Sequence, residues 1–369
     1  MEGRWAPQLN YCIEQTGINL EVVHIPHGSY SERMLLLELV GDTPDLVIIP
    51  PERIAAIVNA GLLMDVQPLV ERDLDDLDMW FPPAIRATQF QGITFGLPAY
   101  VVNYTYAYNK NIFNERGITP PAIDEWLTWE QVYENARKAN EDRDGDGVPE
   151  IWGFYNGTNF VQTLAMIRQA GGEVFTEDGF VQFNSPPVHE AVDFLLELVD
   201  AKLHPDSQYL FNEGRLASIR LGSGSLVVDR TDDDPTPIGV GAGIMNVRKA
   251  DVAYFTSWAI PRSSSKPEAA WEFMKCMVTP EAQWYVTERG VVPMRRDVEI
   301  APKRYEMLMG LMHNVEYAES YPYHVESEYV MSAFDTSMRT VWNKTESAAT
   351  VLQRLDETLN GYLAQTMNQ

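Results

Sequence analysis

The sequence predicts an α/β protein. Three observations support this class: short apolar runs typical of buried strands, helix-length segments between them, and glycine or proline at the breaks. The run Pro44-Asp-Leu-Val-Ile-Ile49 is one such strand, and two prolines follow it. Strands that alternate with helices in this way favour a largely parallel sheet.

The first 60 residues show this alternation most clearly. A helix over Pro7–Gln15 is stopped by Gly17, and Asn19–His24 is rich in branched residues, as a strand is. The pattern predicts two further helices, over Tyr30–Val40 and Arg53–Ala60.

A second α/β region begins after Lys110. Thr128 and Gln131 have the spacing of a capping box, which predicts the start of a helix. The other predicted elements are strands over Ile93–Leu97, Val101–Tyr108, Leu226–Asp229 and Ala253–Pro261, and helices over Val188–Ala201, Pro267–Met277 and Ala348–Leu363.

The charge of the chain excludes several kinds of partner. Its 369 residues include 53 Asp and Glu against 28 Lys and Arg, a net charge of −25, and 11% are aromatic. That aromatic content is typical of a folded chain, and so acidic a surface repels phosphates and anionic lipid headgroups. We therefore expect no nucleic-acid partner and no binding to a membrane surface.

Cys12 and Cys276 are the two cysteines. Two cysteines alone form neither a disulfide framework nor a zinc site, which leaves one bridge or two buried thiols. Because free cysteine is commonly buried as a small hydrophobic residue, we favour the thiols.

Seven segments along nearly the whole chain match the landmarks of a known family in order. They are Gly41–Val47, Phe90–Pro98, the run from Tyr108-Asn-Lys-Asn-Ile-Phe113 through Gly117 and Pro121 to Thr128-Trp129, Asn184–Ala191, Phe211–Gly214, Pro267–Phe273 and Gly290–Pro293. Together they resemble the extracellular solute-binding proteins of ABC importers, in the sugar-binding, maltose-binding-protein-like family.

The resemblance implies a type II periplasmic-binding-protein fold, with two α/β lobes of the Venus-flytrap kind around a cleft. The implied N-terminal lobe comprises 1–105 and 236–285, the C-terminal lobe 106–235 and 286–369, and the hinge crossings lie near 100–108, 229–239 and 276–293. The implied function is capture of a mono- or oligosaccharide and its delivery to the permease of an ABC importer. We expect a monomer with no enzymatic activity and no required cofactor.

The start of the sequence departs from the family pattern. The family's first strand precedes a helix like Pro7–Gln15, and Met1–Trp5 lacks the basic region and apolar core of a signal peptide. We expect a location outside the cytoplasm, in the periplasm or as a cell-surface lipoprotein, with the export signal absent from this sequence.

Sugar recognition needs flat apolar rings and polar groups for the hydroxyls, and Tyr and Trp supply both. Three windows almost without charge, at 87–109, 151–167 and 252–261, contain such rings. The candidate ligand contacts in them are Tyr100, Tyr104, Tyr106, Tyr155, Asn156 and Trp258. For each aromatic residue, a core or sheet-face position is the alternative interpretation.

Two further candidate contacts are charged. Asp229-Arg230 follows a predicted strand, and its carboxylate and guanidinium can divide a sugar's hydroxyl donors and acceptors between them. A surface ion pair is the alternative. Glu52 follows a strand of the first lobe, at the usual ligand edge of an α/β sheet.

Asp142–Glu150 has the spacing of a calcium loop. Its candidate ligands are the carboxylates of Asp142, Asp144 and Asp146, the backbone carbonyl of Val148, and Glu150. Gly153 occupies the position where such loops carry a bidentate Glu. A structural Ca²⁺ site and a solvated acidic turn therefore both remain open.

Two alternative functions also remain open. One is the same fold binding a peptide, a polyamine or a metal chelate. The other is a glycoside-acting enzyme, which needs paired carboxylates across a cleft.

Overall fold

The computed structural model describes residues 5–25, 29–223 and 237–366, which contain fourteen α-helices, twelve strands and three short 3₁₀ helices. The α-helices are α1 (Ala6–Thr16), α2 (Tyr30–Val40), α3 (Pro51–Asn59), α4 (Gln67–Asp73), α5 (Pro82–Arg86), α6 (Lys110–Glu115), α7 (Trp129–Ala139), α8 (Phe160–Gln169), α9 (Pro186–Asp200), α10 (Pro267–Met277), α11 (Pro280–Glu288), α12 (Tyr305–Val315), α13 (Ser327–Trp342) and α14 (Ala348–Thr366). The strands are β1 (Val47–Ile49), β2 (Gln89–Phe90), β3 (Ile93–Thr94), β4 (Gly96–Val102), β5 (Tyr104–Asn109), β6 (Trp126–Thr128), β7 (Trp152–Tyr155), β8 (Leu216–Gly222), β9 (Ile238–Gly241), β10 (Gly243–Met245), β11 (Asp251–Ala259) and β12 (Ala318–Ser320). Within these described ranges, no helix is long and apolar enough to cross a membrane.

The chain divides into two compact units. The first comprises Met1–Val102, Ala253–Leu308 and Glu319–Val325, and the second comprises Asn103–Val252, Met309–Ala318 and Glu326–Gln369. The chain therefore passes between the units five times.

These unit boundaries differ in part from the lobe ranges expected from the family resemblance. The passage at Val102–Asn103 falls inside the expected crossing 100–108, whereas 276–293 lies within the first unit. Residues 238–252, expected in the N-terminal lobe, belong to the second unit, where β9 pairs with β5. Residues 286–308, expected in the C-terminal lobe, belong to the first unit. Most of the expected crossing 229–239 lies outside the described residues.

The sheet of the first unit is built around β11. Both β1 and β4 pair antiparallel with residues 257–259 of β11, so this strand lies between them. The expectation of a largely parallel sheet is therefore wrong for this unit. The reason is that a strand from a distant part of the chain enters between two strands that run in the same direction.

The strand predicted over Asn19–His24 is also absent. The described residues 17–25 contain no strand, and Val22 and Val23 are 59% and 55% exposed. Branched residues favour a strand when they pack against neighbouring strands, and neither valine is packed in this way.

Cys12 and Cys276 form a disulfide, with their Cα atoms 5.7 Å apart. The bond joins α1 to α10, and it lies in a cluster with Phe273, Met277 and Ala282. The prediction of two buried thiols is wrong. Both cysteines are buried as predicted, but the packing of α1 on α10 places them side by side.

The second unit contains a mixed four-stranded sheet in the order β7-β8-β5-β9. β5 pairs antiparallel with β8 and β9, and β7 pairs parallel with β8. A separate parallel pair joins β6 to β10. The predicted capping box is present, since Thr128 accepts from the backbone of Gln131 and the Gln131 side chain accepts from the backbone of Thr128.

Candidate ligand-binding site

Tyr104 and Arg220 lie on the same face of the second unit's sheet. Tyr104 stands opposite Gly222 and Tyr106 opposite Arg220, and alternate residues of a strand share a face. The Arg220 guanidinium carbon lies 4.6 Å from the centre of the Tyr104 ring, within the range of a cation–π contact. Arg220 is buried and Tyr104 is half-buried, so the ring covers the charge.

Arg220 also contacts two amide side chains. Its Nη1 donates to Gln162 Oε1 at 2.7 Å, to the Gln162 carbonyl oxygen at 3.3 Å and to Asn156 Oδ1 at 3.5 Å. Gln162 lies in the first turn of α8, where Asn159 caps the helix by accepting from the Gln162 backbone N–H. The capped start of α8 therefore places one amide, and the loop after β7 the other, beside the guanidinium.

The charge of Arg220 is balanced by Asp251. Its Nη2 donates to Asp251 Oδ1, and both side chains are buried. Asp251 Oδ2 accepts from Asn314 at 2.9 Å, and Asn314 Oδ1 accepts from Asn103 at 3.0 Å. Among the described residues, Arg220 Nε and Asn103 Oδ1 are buried without a hydrogen-bond partner. The network therefore leaves part of its own hydrogen-bonding capacity unused.

Tyr155 is not part of this cluster. It pairs with Ile219, the neighbour of Arg220, and so projects from the opposite face of the sheet. Its ring stacks on His204 at 4.9 Å between centroids. His204 Nε2 lies 2.8 Å from the Asn156 carbonyl oxygen, and burial lowers the pKa of His204. His204 thus supports the backbone of the loop that carries Asn156.

Tyr106 occupies a core position. It is fully buried, and its ring stacks on Phe154 at 6.1 Å. Burial raises the pKa of its hydroxyl. The structure therefore agrees with the core interpretation of this tyrosine, although it shares a face with Tyr104 as the alternation of strand residues predicts.

In the first unit, Tyr100 belongs to a separate aromatic cluster. Its ring lies 4.7 Å from that of Trp5, and the Arg289 guanidinium carbon lies 3.3 Å from the centre of the Trp5 ring. Tyr100 and Trp5 are both half-buried. This cluster gives the first unit a cation and two partly accessible rings.

Trp258 and Glu52 lie elsewhere in the first unit. Trp258, in β11, is half-buried and packs against two core clusters, and its Nε1 is buried without a partner in the described part of the chain. Glu52 lies in the first turn of α3, directly after β1, where the helix dipole favours an acidic side chain. Asp229 and Arg230 lie outside the described residues.

The predicted calcium loop brings three carboxylates together. Oxygen atoms of Asp142, Asp144 and Asp146 lie within 4.8 Å of one another, and all three side chains are exposed. Backbone N–H groups of the loop donate to these three carboxylates, and the Arg143 backbone N–H donates to Glu150 Oε2 at 2.7 Å. The Val148 side chain is exposed, and Lys202 Nζ donates to the Gly147 carbonyl at 2.6 Å.

Sequence reasoning did not identify Arg220 or Arg289. Arg220 had a usable signal, because it is the one charged residue in an otherwise uncharged strand, Leu216–Gly222. A charge in such a strand is buried on folding and needs a partner. Arg289 and Trp5 carried no such signal in the sequence, since their contact joins residues that are far apart in the chain.

The fold and these polar and aromatic clusters are typical of a protein that binds a solute. The family model described as bacterial extracellular solute-binding protein matches residues 6–284, and this chain belongs to that family. The maltotriose-binding protein of Pyrococcus abyssi (strain GE5 / Orsay) is 26% identical over 304 residues, 76% of this chain and 62% of that protein. The match therefore spans less than two thirds of that relative's length.

Solved structures show the same fold. The sugar-binding protein MalE of Xanthomonas citri has a TM-score of 0.86 at 19% identity, covering 98% of this chain and 94% of that one. The cyclic alpha-maltosyl-1,6-maltose binding protein of Arthrobacter globiformis has a TM-score of 0.82 at 19% identity, covering 98% and 97%. These likenesses confirm the predicted two-lobe periplasmic-binding-protein fold.

Proposed function

We propose that this protein captures a carbohydrate, a mono- or oligosaccharide, and delivers it to an ABC importer. The observation that carries the proposal is the cluster of Tyr104, Asn156 and Gln162 around the buried Arg220. A half-buried ring next to amide groups offers a sugar both a stacking face and hydrogen-bonding partners. The names of the relatives, which bind maltotriose and other maltose-based sugars, support the same ligand class.

In the first unit, we propose Tyr100, Trp258 and Glu52 as further ligand contacts. Tyr100 and Trp258 are half-buried rings, and Glu52 is a half-buried carboxylate at a strand end. Tyr155 is proposed as a contact separate from Tyr104, because it lies on the other face of its sheet. Asp229 and Arg230 keep the role predicted from the sequence.

We further propose that the protein works outside the cytoplasm, in the periplasm or as a cell-surface lipoprotein, as a monomer without enzymatic activity. The Cys12–Cys276 disulfide supports the location, because such bonds persist mainly in oxidising compartments. The proposed protein partner is the permease of an ABC importer, and the acidic charge of the chain argues against nucleic acid.

A thermal-shift screen followed by a turnover assay tests this function. The panel contains glucose, maltose, maltotriose, longer and cyclic maltodextrins, other disaccharides, a peptide mixture and polyamines. The proposal predicts that at least one carbohydrate raises the melting temperature and is recovered unchanged after incubation. Stabilisation by peptides or polyamines alone would favour the same fold with another solute, and cleavage of the bound sugar would show an enzyme.

We also propose that the loop Asp142–Glu150 binds a structural Ca²⁺. The donor set fits, because three carboxylates converge and Ca²⁺ prefers oxygen ligands. Asp142, Asp144, Asp146, the Val148 carbonyl and Glu150 would hold the ion, with water completing the shell. Its role would be to stabilise the loop between α7 and β7 of the second unit.

A further inference from the structure

We propose that Arg220 is a positioning residue for ligand binding: it orients the Tyr104 ring and the Gln162 amide towards the solute and does not touch the solute itself. The inference rests on the carbohydrate-binding function proposed above, and it adds a residue that the sequence and the comparisons leave unassigned. Arg220 and Asn156 are 2% and 0% exposed, whereas Gln162 is 8% exposed and the Tyr104 ring is half-buried, so a bound ligand meets the ring and the Gln162 amide rather than the guanidinium or Asn156.

The guanidinium contacts three side chains from three parts of the chain. Tyr104 comes from β5, Asn156 from the loop after β7, and Gln162 from the first turn of α8. A planar group with several fixed donors can hold all three at once, which the single ammonium of lysine cannot do. One side chain therefore couples the orientation of a ring to that of two amides.

The donors of Arg220 also determine which way the amides point. Because Nη1 donates to Gln162 Oε1, the oxygen must face the guanidinium and the Gln162 NH₂ group must point away from it. The Asn156 oxygen faces Arg220 in the same way, and its NH₂ group donates to the Gly157 carbonyl. Gln162 thus presents a hydrogen-bond donor, which suits the oxygen of a sugar hydroxyl.

A second set of hydrogen bonds, centred on Asp251, fixes the guanidinium of Arg220. Asp251 accepts from Nη2, and Asp251 is in turn bound by Asn314 and by the backbone N–H of Val252 at 2.6 Å. With its carboxylate fixed by two donors, the ion pair has a single orientation. Arg220 therefore acts as a rigid support for the ring and the amides.

The test compares Arg220→Lys with Arg168→Lys. Arg168 is a matched control, because it is also buried in the second unit and pairs with a carboxylate, Glu173, at 2.9 Å. Lysine keeps the charge at both sites but loses the planar fork of donors. We expect Arg220→Lys to weaken binding of the tightest carbohydrate by at least about tenfold in calorimetry, and Arg168→Lys to leave the affinity within about twofold.

A double-mutant cycle separates positioning from a general effect on stability. If Arg220 acts through Tyr104, then Arg220→Lys must weaken binding less in a Tyr104→Ala background than in the wild type. Additive effects, or wild-type affinity in Arg220→Lys, would overturn the proposal.

A measurement without ligand tests the positioning of Tyr104 separately from carbohydrate binding. In protein labelled with 3-fluorotyrosine, the ¹⁹F resonance of Tyr104, assigned by its loss in Tyr104→Phe, must shift in Arg220→Lys and stay in place in Arg168→Lys. If no carbohydrate binds the wild type but the resonance shifts, the function fails and the positioning of the ring stands. An unmoved resonance in Arg220→Lys overturns the positioning itself.

Discussion

Arg220 and Asp251 form an ion pair in which each side chain is only 1% exposed. Arg220 lies in β8 and Asp251 begins β11, just before the chain passes into the first unit. Through Asn314, the same network reaches Asn103, the first residue of the second unit. Buried polar side chains thus join two separate stretches of the second unit, 103–252 and 309–318.

Replacing Asp251 by Asn should destabilise the second unit strongly. The change leaves the Arg220 charge buried without a counter-charge, which costs about 3–5 kcal/mol. Denaturant unfolding measures this loss. The control is Glu134→Gln, whose carboxylate is 45% exposed and pairs with Arg137, itself 60% exposed, in the same unit, and it should leave the free energy of unfolding nearly unchanged. Equal losses in the two variants would contradict the role of this buried pair.

Reducing the Cys12–Cys276 disulfide should lower the stability of the first unit. The bond closes a loop with a sequence separation of 264 residues, and removing such a constraint costs about 2–5 kcal/mol. We expect a lower melting temperature for the Cys12→Ser/Cys276→Ser variant and for reduced wild type. Unchanged melting after complete reduction, verified by thiol counting, would contradict a stabilising role for the bond.

Tyr104→Ala should weaken carbohydrate binding by about 10- to 100-fold, since an aromatic contact in a binding site is commonly worth about 1.5–3 kcal/mol. Its matched control is Tyr209→Ala, which removes a tyrosine that is 68% exposed in the same unit. Calorimetry should find wild-type affinity for the control. Loss of affinity in both variants, or in neither, would place the ligand elsewhere.

His204 should make the second unit less stable in acid. Burial lowers its pKa in the folded protein below the ordinary value of 6.5, so the unfolded chain binds the additional proton first. Stability is therefore full above that value and is lost as the pH falls through it. Between about pH 7.5 and about pH 5.5, the free energy of unfolding should fall more in wild type than in His204→Gln. Parallel profiles would contradict this assignment.

Calcium should raise the melting temperature through the loop Asp142–Glu150. Asp144→Asn removes one of the three converging carboxylates and should abolish the shift. Asp124→Asn is the control, because Asp124 is exposed in the same unit and lies outside the loop. If neither chelator nor added calcium changes the melting of wild type, the loop is a solvated acidic turn.

Local patterns in the sequence predicted the helices well. Pro267–Met277 is helical over the predicted range, and Thr128 forms the predicted capping box, because these signals depend on neighbouring residues. The sheets were harder to predict, since pairing depends on distant segments. Nothing near Val47–Ile49 indicates that β11 will lie beside it in the opposite direction.

The same contrast between local and long-range signals applies to the candidate site. The uncharged windows led to Tyr104 and Asn156, which the structure places around one guanidinium. The same windows also contained Tyr106, whose burial depends on how β5, β7 and β8 are paired. Which strand residues face a core and which remain partly accessible is decided by the covering helices, and a sequence pattern alone does not show this.

Calorimetric titration of the carbohydrate panel into the wild-type protein is the decisive test of carbohydrate capture. We predict that at least one carbohydrate binds one-to-one with a Kd of about 1 μM or tighter, a free energy near −8 kcal/mol. Absence of measurable heat with every carbohydrate, in protein that remains folded and binds a peptide or a polyamine, would contradict it.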